Sequence, residues 1–471
     1  MVFFYPNLVT SEKFRYQLRQ EAQQWQEEGL IDSEIYQQLA SRYQLNELDS
    51  TSGDRFVSIV LGVGFVLLGL GVITFVAANW QTWSRSLKVI LLLSLFIATN
   101  CGGFYCWKSP DARQSRLGQG LLLFGALTLG ANIGLMSQMF HQTGSVCVLY
   151  LVWGLAVWAM AFSLRLTSLG FMAIILMAIA YSIGLFQSAI WSDVGLGVAL
   201  RQMSLIISLL FIPLSYYCRS RWLFLLSSIF IICTLVINIA RYLDTANLAY
   251  PSFFTPLLLI LLPALLWGYR DRLLFTNFDL NFDSTSRKLA IFCLGLLVYC
   301  CSFNLWSDFE IGSGRAIDFT PRSLLIAPFA FTILSIYAWW RLGVRRDNLP
   351  WRLDLNSTYI GATLLLIFCL IWFHLAIASL GIAGTIIFNL LLFTLAIVLV
   401  SQSVKEGQRF NFWLGILLII LQIFSRMFEY NTGLILKAIA LFVCGIAAIL
   451  AGLWFERYLS SQNPHSQLSN N

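Results

Sequence analysis

Between Phe56 and Ala78 the chain reads FVSIVLGVGFVLLGLGVITFVAA, a stretch without a charged side chain. A helix rising about 1.5 Å per residue crosses a hydrocarbon core of about 30 Å in that length. Inside hydrocarbon each backbone N–H and C=O must be paired within the chain, which leaves helices or closed barrels. Continuous apolar runs of this length, not alternating ones, select the helix. Similar runs recur near residues 87–106, 118–140, 145–164, 168–187, 203–218, 222–240, 251–269, 289–306, 323–340, 358–379, 382–401, 411–428 and 433–454. The fold class predicted is therefore all-α, a polytopic membrane bundle of about 14 helices. Several gaps are so short that the neighbouring spans must be antiparallel. Composition agrees, with 58% hydrophobic and only 11% charged residues, against about a quarter charged in soluble domains.

The first 50 residues differ. Phe14, Leu18, Ala22 and Trp25 fall on one face of a helix that Gly29 can end, with Glu12, Lys13, Arg19, Gln23 and Gln24 on the others. Asp32 and Ser33 suit the start of a second helix whose stripe is Ile35, Tyr36, Leu39 and Tyr43. Two short helices with one stripe each bury little, so this hairpin needs a partner or a membrane surface. Phe14, Leu18 and Trp25 are the candidate partner face, for a cytoplasmic protein or a second copy of the chain. Residues 1–50 are read as a soluble hairpin, 51–160 as a first membrane region, 161–457 as a further bundle and 458–471 as a disordered tail, after a polar linker Leu45 to Asp54.

The stretch WQEEGLIDSEIYQQLASRY, the glycine-rich first span ending VAANWQTWS, and GANIGLMSQMFHQTG together resemble DUF2157, a family of uncharacterised bacterial, cyanobacterial-type membrane proteins. SRMFEY and GLWFERY near the end are similar to that family's end. The resemblance implies an inner or thylakoid-like membrane and carries over no activity, cofactor or catalytic residue.

Lys and Arg near helix ends set membrane orientation. With 14 spans, 22 of the 30 Lys and Arg fall on the side of the N-terminus and 8 on the other. Both termini are accordingly expected in the cytoplasm. The net charge of +7 is absorbed by this bias, and nucleic acid is not implied. Arg270 to Lys288 reads as an interfacial loop, and Trp306 to Arg322, with Asp308, Glu310 and Asp318, as an acidic outer loop.

Candidate sites are the polar groups that a membrane helix would not carry without reason. Asn132, Gln138 and His141 lie on the third span, the last two three residues apart on one face. Such groups bind a polar substrate or move a proton; equally, they hold helices together. His374 stands alone in the eleventh span, with function set against a neutral ring bonded to a carbonyl. Arg426 and Glu429, three apart in SRMFEY, can grip an anionic group or serve as a mutual anchor, with Lys437 joining them or reaching for the interface. Gly62, Gly64, Gly69 and Gly71 lie inside a span, where close helix packing explains them better than a nucleotide fingerprint. Trp80, Trp83, Trp339, Trp340 and Trp351 fit interfacial belts.

The sequence has no GxxxxGK[ST], HExxH, GxSxG or EF-hand spacing and no CxxC, so no catalytic, cofactor or metal residue is assigned. Three readings stay open. One is a carrier or flippase of a small or lipidic molecule. The second is a scaffold or stress sensor docking a partner through the hairpin. The third is an intramembrane enzyme acting on lipid-linked substrates.

Overall fold

The computed structural model describes residues 12–43, 60, 63–71, 74–75, 78, 84–139, 144–187, 190–191, 193, 195–245, 251–271, 282–304, 306, 322–343, 354–430 and 433–462. The linker, His141, Gly62, Trp80, Trp83, Trp351, most of the acidic loop and the tail beyond residue 462 lie outside them. Every regular element among the described residues is helical, and eleven helices are long and apolar enough to cross a membrane. Residues 203–217 and 253–268 are shorter apolar helices, and residues 63–71 are helical within the first apolar run. Contacts group the chain into two compact units, Met1–Ala180 and Tyr181–Asn471.

The first unit opens with α1 (Glu12–Glu27) and α2 (Ser33–Tyr43). Gly29, at φ +74°, reverses the chain, a backbone state that costs a residue without Cβ little. The Leu30 N–H then returns to the Trp25 carbonyl at 2.8 Å. Asp32 Oδ1 accepts from the Ser33 N–H at 2.7 Å as α2 begins. Leu18, Tyr36 and Tyr43 pack on Ala40 between the two helices.

There follow α3 (Arg85–Trp107), α4 (Ala112–Met139), α5 (Val146–Leu164) and α6 (Thr167–Phe186). Ser84 and Ser145 start α3 and α5 by accepting the Leu87 and Val148 N–H groups, which satisfies donors that a helix start leaves unpaired. Small residues bring these helices together. A Cβ on Gly118 would strike the Trp107 backbone, lying 2.6 Å from its Cα and 2.7 Å from the Gly103 carbonyl. Trp153 lies against Gly130 and donates its Nε1–H to the Ala126 carbonyl at 2.8 Å. Among the glycines of the first span, Gly69 meets Leu127 and Phe124, but Gly64 and Gly71 have no atom within 4 Å of a built Cβ. Close packing therefore accounts for Gly69 alone of these three.

The second unit contains α7 (Leu196–Arg201), α8 (Met203–Tyr217), α9 (Arg221–Thr245), α10 (Pro251–Gly268), α11 (Phe282–Cys301), α12 (Ile326–Gly343), α13 (Leu355–Ala376), α14 (Gly381–Glu406), α15 (Arg409–Glu429) and α16 (Leu434–Gln462). Its core is aliphatic and aromatic: Leu294 and Val298 of α11, Ile367 of α13, Phe388, Leu392 and Leu395 of α14, and Leu418 of α15. Lipid tails are as apolar as leucine, so burial alone does not hold such helices together and polar ties matter. Trp267 donates to Ser357 Oγ at 3.1 Å, Ser286 to the Leu266 carbonyl at 2.7 Å, and Trp339 to the Ala264 carbonyl at 2.9 Å.

The structure corrects several sequence expectations. α4 starts at Ala112, and α11 starts at Phe282 and ends at Cys301. Arg287 and Lys288 are thus helical and not loop residues. Asp271 fixes that start, its Oδ2 accepting the Phe282 N–H at 2.8 Å while Oδ1 takes the Tyr216 hydroxyl in a short hydrogen bond. The last helix runs on to Gln462, past the expected tail boundary. Arg201, one of the eight charges expected on the side away from the termini, is 5% exposed.

Candidate functional site

Arg201 is enclosed because carbonyls replace water around it. Its Nε donates to Gly197 at 3.1 Å, Nη2 to Trp191 at 2.8 Å and Asp193 at 3.3 Å, and Nη1 to Ser323 Oγ at 2.5 Å. Asn238 caps the arrangement by donating to the Arg201 carbonyl at 2.6 Å. Four donors spent on backbone and hydroxyl oxygens tie α7 to Trp191, Asp193 and Ser323, the last of these just before α12.

A different arrangement lies where α11, α13, α14 and α15 end or begin. α11 terminates at Cys301, and the carbonyl of the next residue, Ser302, has no helical partner left. Two side chains supply it: Asn389 Nδ2 of α14 at 3.0 Å and Arg426 Nη1 of α15 at 2.9 Å. The Arg426 guanidinium also lies 4.5 Å over the Phe303 ring. Glu429, one turn further along α15, pairs with Arg426 and accepts the Asn304 N–H at 2.7 Å. Both partners are largely enclosed, their side chains 16% and 18% exposed. Gln422, one turn before Arg426, donates to the Asn389 carbonyl at 2.9 Å and to its Oδ1 at 3.1 Å.

Beside this network sits His374. It is 2% exposed at the end of α13, and its Nδ1 accepts the Leu380 N–H at 3.0 Å. The bonded partner is thus a backbone donor, and in the neutral ring the proton is on Nε2. Trp306 stands perpendicular to the imidazole at 4.9 Å and stacks on Phe388 at 5.0 Å, while donating to the Cys301 carbonyl at 2.8 Å. Gly384 makes room for the indole, since a Cβ there would approach it to 3.0 Å.

Besides Glu429 Oε2, which is ion-paired with Arg426, four atoms here are buried without a hydrogen-bond partner among the described residues: Thr385 Oγ1, Gln422 Oε1, Arg426 Nε and His374 Nε2. Two are N–H donors, one is an acceptor and the hydroxyl can be either. In a membrane interior each such group costs about 1–3 kcal/mol, more if charged. They belong to three helices, α13, α14 and α15.

His374, Arg426 and Glu429 are therefore brought to one end of the second unit. Asn132 belongs to the first, where it is buried and donates to the Leu92 carbonyl at 3.2 Å and the Thr128 carbonyl at 2.8 Å, tying α4 to α3. Gln138 is exposed, and His141 is outside the described residues. Leu18 faces Ala40 inside the hairpin, Trp25 is half-buried, and the side chain of Phe14 is outside the described set. Ser302, Thr385 and Gln422 escaped the sequence reading. A signal existed in the spacings Thr385/Asn389 and Gln422/Arg426/Glu429, which place each set on one helix face.

Among the described residues no cluster of His, Cys, Asp and Glu has the makings of a metal site. No curated protein and no solved structure matches the chain. The match to a known family stops short of the second unit and its cluster: residues 23–170, from within the hairpin to the start of α6, fit the family described as predicted membrane protein (DUF2157).

Proposed function

We propose that this multi-pass membrane protein is a carrier, moving a small or lipidic molecule through the second unit by way of the Asn389–Gln422–Arg426–His374 cluster. The supporting observation is the set of four unpartnered buried polar atoms at a junction of helices whose other surfaces are apolar. Single unpartnered atoms also occur at other helix ties, such as Asn132 Oδ1 and Asn238 Oδ1, whereas here four fall at one junction. The positive-charge bias supports cytoplasmic termini; a periplasmic phosphatase that proved active when fused after Ser460 would overturn that orientation.

The test is made in proteoliposomes with the full chain. Movement of fluorescent phosphatidylglycerol and phosphatidylethanolamine is followed alongside uptake of radiolabelled inorganic phosphate and glycerol. The carrier reading expects one probe to move faster than in protein-free vesicles, and Thr385→Val with Gln422→Leu to slow it at least tenfold while the fold survives. Leak at the protein-free rate for every probe, or movement indifferent to those substitutions, overturns it.

A further inference from the structure

α15 and α16 meet along one narrow seam. Ile423, Phe424 and Met427 of α15, with Ala440, Leu441 and Cys444 of α16, line a shallow apolar recess there. Around the rest of its circumference α16 turns large apolar side chains outward, Phe442 at 73% and Ile446 at 56% exposure among them. In a bilayer the occupant of such a recess is hydrocarbon.

One end of the recess is charged. Positions 437, 440, 441 and 444 follow the i, i+3, i+4, i+7 spacing of a single helix face, so Lys437 continues the stripe of recess residues toward the start of α16. Its Nζ lies 4.8 Å over the Phe428 ring, and Phe428 in turn packs edge-on against Phe424 at 4.8 Å. An ammonium over an aromatic face at a helix end sits at headgroup depth. Among the described residues no carboxylate is within ion-pair distance of Lys437. The neighbouring cation, Arg426, is neutralised by Glu429, so among the described residues this end of the seam carries one uncompensated positive charge above an apolar slot.

We propose that the α15–α16 seam binds one anionic phospholipid, its phosphodiester on Lys437 and one acyl chain in the recess. Charge complementarity selects the lipid: a zwitterionic headgroup brings its own ammonium beside Lys437, whereas an anionic one leaves its phosphate charge for it. The inference is independent of the carrier reading, because an anchor or a carrier can hold a lipid at its edge.

The experiment uses the full chain in mild detergent with equal amounts of dioleoylphosphatidylglycerol and dioleoylphosphatidylcholine, and native mass spectrometry to count retained lipid. The phosphatidylglycerol is expected to be kept at least fivefold over the phosphatidylcholine. Lys437→Gln should bring the two to parity and Lys437→Arg should restore the preference. Ala440→Phe, which fills the recess, should reduce retention of both. Equal retention by the native chain, a preference that survives Lys437→Gln, or retention unchanged by Ala440→Phe overturns the proposal.

Discussion

Replacing Arg426 by methionine removes a guanidinium that holds three things at once: the Ser302 carbonyl, the Glu429 carboxylate and the Phe303 face. A hydrogen bond from a charged donor contributes about 1.5–3 kcal/mol. Breaking a fully buried ion pair from one side costs about 3–5 kcal/mol, but side chains 16% and 18% exposed recover part of that by hydration. The expected loss is about 2–4 kcal/mol. Glu429→Gln keeps an oxygen for the Asn304 N–H and removes only the countercharge, so it should cost less, about 1–2 kcal/mol. In the double variant neither charge is left alone, and the loss should fall short of the sum by at least about 1 kcal/mol. The assay is unfolding of the detergent-solubilised chain by dodecyl sulfate, followed by far-ultraviolet circular dichroism. Additivity within about 0.5 kcal/mol, or an R426M variant as stable as the parent, would refute the coupled clamp.

Three further outcomes follow from the packing. Gly118→Val should drive its side chain into the backbone of α3 and cost at least about 1–3 kcal/mol, read as a lower melting temperature and a smaller monodisperse fraction on gel filtration. Asn132→Leu removes the donor to the Leu92 carbonyl and should lower stability by roughly 0.5–1.5 kcal/mol, measured in the same dodecyl sulfate titration. Cys101 and Cys369 are exposed on apolar helices, whereas Cys147 is buried. In single-cysteine variants in sealed vesicles, the first two should react with an uncharged maleimide and not with a sulfonated one, and Cys147 with neither; labelling of Cys101 or Cys369 by the charged reagent would contradict a lipid-facing surface.

The membrane helices could be read from run length because hydrocarbon imposes a minimum span on any sequence. Their ends were less legible. Arg113, Arg116, Arg287 and Lys288 are helical in the structure, yet a search for apolar runs stops where such charges begin. The hairpin was legible in detail, since Gly29 and Asp32 act through neighbouring backbone. Pairing across helices is a different matter: Ser302 matters for a carbonyl stranded at a helix end, and Arg201 is buried because acceptors from separate segments surround it. No property of either residue alone announces this. Gln422, Arg426 and Glu429 were visible as one face of α15, but what that face meets was not.

Asp271 joins two contacts that lie far apart in the chain. One carboxylate both receives the Tyr216 hydroxyl and holds the first N–H of α11, so the entry of that helix is anchored by a residue eleven positions upstream. Changing Asp271 would therefore release two contacts at once, the hydroxyl at the end of α8 and the first N–H of α11, and the two helix ends would lose their common anchor together.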